Sequence, residues 1–308
     1  MSRPTAPVSA AHPASPGGAW HRPMLVCAAV MAVCAVVSTI GVLADDRVLV
    51  GAPIWLKPLK FALSIGIYSV TWAWLFSLLR GRRRLAHRVS TVIVGVALVE
   101  YAVIVTQVVR GTTSHFNLST PLNTALWGLM GSSIIVLWVG TLVLTLLLLR
   151  TPIADAATRW SVRLGTVLSL IGLALGGLML GPTPEQRAQR QAGTGGDVLG
   201  AHSVGVADGG PGMPLTGWST TGGDLRIPHF VGMHALQVLP LLALGLGVWA
   251  RRRHRLADPV VRTRIVLVAG GVYAGLVALV TWQALRGQPF VAPDAATLAA
   301  FAALVAGG

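Results

Sequence analysis

No charged side chain interrupts the sequence from Met24 to Ala44, and apolar runs of comparable length recur six more times before residue 286. A helix rising about 1.5 Å per residue needs roughly 20 such residues to cross the roughly 30 Å hydrocarbon core of a bilayer. Within that core every backbone N–H and C=O must be paired inside the segment, so each run is held to a helix. The predicted spans are 24–44, 59–79, 89–109, 122–149, 164–180, 228–250 and 265–285. The expected fold class is therefore an all-α integral membrane protein, a seven-transmembrane bundle over residues 23–286. A chain that is 54% hydrophobic and 11% charged does not have the usage of a soluble domain.

The flanks are simpler. Residues 1–22, rich in Ala, Pro, Ser and Gly, read as a disordered tail. Val42 and Ala44 ahead of Asp45 imitate a secretory cleavage site, but the apolar run is longer than a signal-peptide core and favours a retained first span. Residues 287–308 form a second tail, whose apolar run 295–305 is too short to cross and is expected at the interface. The one long connection, 182–227, is Gly-rich with a short helix expected over 184–191; a loop of this length is either a functional lid or disordered. Cys27 and Cys34 stand seven residues apart on one helix, about 10 Å of rise, too far to pair with each other.

A net charge of +14 raises nucleic acid as a partner, but the basic residues sit in short clusters between spans without an aromatic-basic motif, so no nucleic acid is expected. The bilayer is the expected partner instead. Loops 80–88, 150–163 and 251–264 hold fourteen of the twenty-four Lys and Arg, against Asp155 and Asp258 alone. By the positive-inside bias these loops face the cytoplasm, the N-terminus lies inside, the C-terminus lies outside, and the long loop faces out.

Polar residues inside apolar spans cost free energy unless paired or solvated, which makes them site candidates. With this topology they gather at the outer side: Lys60, Ser64 and Tyr68 on the second span, Glu100 and Gln107 on the third, Arg110, His115 and Asn117 after it, Asp224 and Arg226 before the sixth, and His229, His234 and Gln237 within it. Trp55 and Lys57 read as interfacial anchors. Glu100, at mid-span, must be protonated, paired or solvated, with Lys60, His234 or Arg110 as expected partners. Glycines 172, 176, 177 and 181, and 271 with 275, have the spacing of close helix packing.

The segments Trp55-Leu-Lys-Pro-Leu-Lys-Phe61, Ser114-His-Phe-Asn117 and Gly223-Asp-Leu-Arg226, followed by His229-Phe and His234 to Gln237, resemble those of a family of uncharacterised bacterial multi-spanning membrane proteins. The resemblance covers residues 50–240 and implies a bacterial inner-membrane protein; it carries no mechanism. Three functions stay open. One is a binding or transport protein with an outward pocket for a small polar or anionic ligand or a lipid headgroup. Another is a membrane enzyme using haem or zinc held by His115, His229 and His234. The third is a structural or partner-binding protein. No motif decides between enzyme and binder, and none fixes the oligomeric state.

Overall fold

A computed structural model describes residues 18–307, so most of the tail expected over 1–22 lies outside the described residues. Among the described residues, seven helices are long and apolar enough to cross a membrane. They are α1 (Arg22–Ala44), α2 (Leu56–Leu78), α3 (Arg83–Val109), α4 (Pro121–Leu149), α5 (Ala156–Leu175), α7 (Arg226–Trp249) and α9 (Pro259–Leu285). Three shorter helices accompany them: α6 (Pro184–Gln191), α8 (His254–Ala257) and α10 (Ala295–Ala306). The chain is a multi-pass, all-α membrane bundle.

Several helices start earlier than their apolar runs, because capping rather than hydropathy sets a helix end. Asp155 accepts from the Thr158 N–H at 2.8 Å and starts α5 eight residues before the predicted 164. Asp258, followed by Pro259 in the first turn, does the same for α9. The α3 helix runs back to Arg83, an Arg-rich turn beyond the apolar stretch. At its far end α5 tightens into a 3-10 helix, Gly176–Leu180.

The spans pack as two groups. The α1 helix packs on α2, and α3 packs on α4; α5, α7 and α9 pack on one another, and α4 against α5 joins the groups. The tightest seam is α5–α7, where a methyl on Gly232 would come within 2.6 Å of the Gly172 Cα and one on Gly172 would overlap the Gly232 backbone. Gly275 is likewise covered, by Leu304 of α10, whereas Gly177, Gly181 and Gly271 meet nothing within 4 Å. Polar ties cross the apolar interior: Tyr68 Oη with Thr141 Oγ1 at 2.7 Å, Ser38 Oγ with Tyr101 Oη at 3.1 Å, and Trp138 Nε1 donating to the Leu170 carbonyl at 3.1 Å. Cys27 and Cys34 are free.

The spans alternate in direction, so the three Arg-rich loops share one end of the bundle and the long loop lies at the other, hereafter the site end. The long loop is a built layer. Helix α6 has a full capping box between Thr183 and Gln186. Two short strands, Ser203–Val204 and Gly223–Asp224, pair antiparallel. Leu118 N–H donates to the Asp197 carbonyl at 2.7 Å and Leu199 N–H to the Phe116 carbonyl at 2.9 Å, so the loop is stitched to the α3–α4 connection.

Candidate functional site

Beneath this layer, a cavity of about 1880 Å³ opens between α2 and α7, with residues of α9 and of the α3–α4 connection completing its wall. Its polar contents begin with Lys57. The Lys57 ammonium lies 3.0 Å from His115 Nδ1, and Ser114 Oγ is 3.1 Å from the same nitrogen. An ammonium only donates, so Nδ1 accepts and the His115 proton sits on Nε2. Burial first, then the nearby Lys57, His202 and His229 side chains, hold the His115 pKa well below the usual histidine range. Phe61, Phe116 and Trp127 surround the ring at centroid distances of 5.8, 6.0 and 5.2 Å. Phe116 itself has φ of 61°, a left-handed backbone that a bulky residue rarely adopts, imposed where the chain must turn His115 inward. Lys57 is thus part of the cavity wall and no interfacial anchor.

Lys60, one turn further along α2, donates to the Thr216 carbonyl of the overlying loop at 3.0 Å. Three arginines at the site end have acidic partners: Arg47 with Asp45 at 2.7 Å, Arg226 with Asp224 at 2.5 Å, and Arg286 with Asp294. Among the described residues neither Lys57 nor Lys60 lies within salt-bridge distance of a carboxylate.

Histidines make up much of the remaining polar wall. His229 Nδ1 is 2.8 Å from the Gly172 carbonyl and His234 Nδ1 is 3.2 Å from Gln237 Oε1. A carbonyl oxygen can only accept, so in both rings Nδ1 carries a proton. The α5–α7 glycine seam is what brings the Gly172 carbonyl within reach of His229. A fourth imidazole, His202, was not among the sequence candidates. Its Nδ1 lies 2.8 Å from Asp208 Oδ2, and Asp208 also accepts from the backbone N–H groups of His202 and Ser203. Burial pushes the Asp208 carboxyl up, but these hydrogen bonds prevail and hold it below the ordinary range. Burial lowers His202 more than Asp208 raises it. In sequence this pair is an unremarkable histidine and aspartate in a Gly-rich loop; only the turn between them makes it a site.

The cavity also takes in Ser64 and Arg226. Other expected pocket residues are engaged elsewhere. Tyr68 ties α2 to α4. Gln107 donates to Asn123 Oδ1 at 3.0 Å and accepts from Arg110 at 2.9 Å, a network that fixes the α3 end against α4. Asn117 holds Thr112 and Ser119. Asp224, fully buried, accepts from Arg226 and from the Ser219 N–H, and Arg226 reaches the Gly217 carbonyl at 2.6 Å; the pair braces the overlying layer. Gln237 donates to Thr71 Oγ1 at 3.2 Å and joins α7 to α2 below the cavity. Glu100 is buried with Oε2 unpartnered. None of Lys60, His234 or Arg110 bonds it; Lys57 is the charge within electrostatic reach.

The three histidines expected as metal ligands do not close on one point. Among the described residues no group of three or more His, Cys, Asp or Glu is placed to hold a metal ion. No family model, curated protein or solved structure matches the chain.

Proposed function

We propose that this chain is a binding or transport protein of a bacterial inner membrane, with the site end facing outward and the cavity receiving an anionic ligand through Lys57 and Lys60. The observation that carries the reading is the pair of ammonium groups in one cavity, neither within salt-bridge distance of a carboxylate, at a bundle end where Arg47, Arg226 and Arg286 are matched to aspartates. A desolvated cation without a counter-charge is costly, and an anionic guest offsets that cost. His115, kept neutral and accepting from Lys57, orients one ammonium without neutralising it. The segments that carry the family resemblance also supply Lys57, Lys60, His115, Arg226, His229 and His234 to this cavity.

The test is thermal stabilisation of the purified protein by a panel of phosphate- and carboxylate-bearing ligands. Stabilisation by anions is expected to disappear in Lys57→Met and Lys60→Met and to persist in Tyr68→Phe, which loosens the bundle by about 1 kcal/mol without touching the cavity. Equal responses in all four proteins overturn the reading.

A second reading, a haem- or metal-dependent enzyme, is favoured by one feature. His229 and His234 each spend Nδ1–H on an oxygen, the arrangement by which ligating imidazoles are commonly oriented with Nε2 free for a metal. Elemental analysis and a visible spectrum of protein purified without chelators decide it: stoichiometric iron or zinc lost in His234→Ala supports this reading, and a metal-free, folded protein removes it.

A further inference from the structure

We infer that the ligand is a long-chain anionic lipid drawn sideways from the membrane leaflet at the site end, with its headgroup at Lys57 and Lys60 and its chain in the cleft between α2 and α7; the inference rests on the anion-binding reading above. Four observations converge on it.

The aqueous approach is covered. Lys60 is bonded to Thr216 of the overlying layer, and Gly209 of that layer sits so close to Gly51 that a methyl there would come within 2.5 Å of the Gly209 carbonyl oxygen. Trp218 packs edge-on against Phe290 beyond the end of α9, centroids 6.4 Å apart, closing the cover at its other margin.

The membrane side is open. The α2 helix packs on α1 and α3, and α7 packs on α5 and α9, so no extensive helix seam closes α2 against α7. Their hydrogen bond within the span, Gln237–Thr71, lies deeper than Ile67 and His234, the deepest cavity-lining residues of the two helices. Leu63 and Ile67 line the cavity and are 50% and 46% exposed, so no neighbouring element covers these side chains of α2. Leu285, the last residue of α9, also lines the cavity and is 52% exposed.

Depth and polarity follow a lipid. At roughly 1.5 Å per residue, Ile67 lies about 16 Å in from the start of α2 and His234 about 12 Å in from the start of α7, close to the roughly 15 Å of one leaflet. The unmatched ammoniums are at the headgroup end, and Leu63, Ile67 and Phe230 line the way down. Finally, about 1880 Å³ exceeds the roughly 300–1,000 Å³ of ordinary small-molecule pockets.

The experiment uses the full chain in phosphatidylcholine nanodiscs, titrated with phosphatidylglycerol or with inorganic phosphate, and reads the melting temperature. Phosphatidylglycerol is expected to raise it and inorganic phosphate to do little. Ile67→Trp, which fills the cleft, is expected to shift the half-maximal phosphatidylglycerol concentration about tenfold upward. Val70→Trp, exposed on the same helix but outside the cavity, controls for the effect of a new tryptophan on folding and should respond as the parent does. If inorganic phosphate stabilises as strongly as phosphatidylglycerol, or Ile67→Trp changes nothing, the lipid inference falls while the anion reading stands. If neither anion stabilises, or both effects survive Lys57→Met and Lys60→Met, the anion reading falls with it.

Discussion

Single residues here change meaning with burial. His21 is an N-cap, accepting from the Met24 N–H at 3.3 Å, and its ring lies against Phe76 and His87. Burial first, then the His87 charge, lowers its pKa from 6.5 to about 4. In that window the unfolded chain binds a proton that the folded chain refuses, so stability is full above pH 6.5 and falls as pH drops toward 4. His115 and His202, also held below the usual histidine range, add to the loss below pH 6.5, whereas Asp45, Asp208 and Asp294, held below their ordinary 3.8, add theirs only at lower pH. A melting series in detergent should therefore show a decline between pH 6.5 and 4 that His21→Asn, which keeps a capping acceptor, makes shallower; an unchanged decline in the variant refutes this assignment. At this scale the sequence marks Lys60, His229 and His234 because polarity inside an apolar run is visible in one dimension. It is silent on His202 and Asp208, whose pairing depends on a loop turn, and it misjudges Lys57, whose partner His115 is fifty-eight positions away.

Elements are legible where hydropathy controls them and not where close contact does. The apolar runs mark the membrane-buried length of each helix, while Asp155 and Asp258 decide where α5 and α9 begin. Glycine spacing identifies Gly172 as a packing position but gives equal weight to Gly177, which touches nothing. The two should separate in experiment. Gly172→Ala forces α5 from α7 and withdraws the carbonyl that orients His229, with an expected cost of about 1–3 kcal/mol. Gly177→Ala should stay within about 0.5 kcal/mol of the parent. Melting temperatures of the two variants in one detergent check this, and equal destabilisation would show that the α5–α7 seam is not the tight contact described.

At the scale of the whole molecule, two helical groups meet firmly through α4 and α5 and only at depth through Gln237 and Thr71 on the cavity side. That asymmetry makes the cavity, and no local pattern in the sequence contains it, because it arises from which helices fail to pack. Which leaflet the cavity opens to is a separate matter, set by charge. Fourteen of the twenty-four Lys and Arg lie in the loops at the opposite end, and moving such loops across a membrane is disfavoured. With Cys27 and Cys34 replaced by Ala, Gly210→Cys in the overlying layer should react with a membrane-impermeant maleimide on intact cells. Arg84→Cys, in the first turn of α3 at the opposite end, should react only after permeabilisation. The opposite pattern would leave the fold and the cavity untouched but turn the site end to the cytoplasm, so that any lipid reaching Lys57 and Lys60 would come from the inner leaflet. The charge asymmetry makes the first pattern the expected one, because the paired arginines of the site end present little net positive charge, whereas the five arginines between Arg80 and Arg88 have no acidic neighbour in their loop.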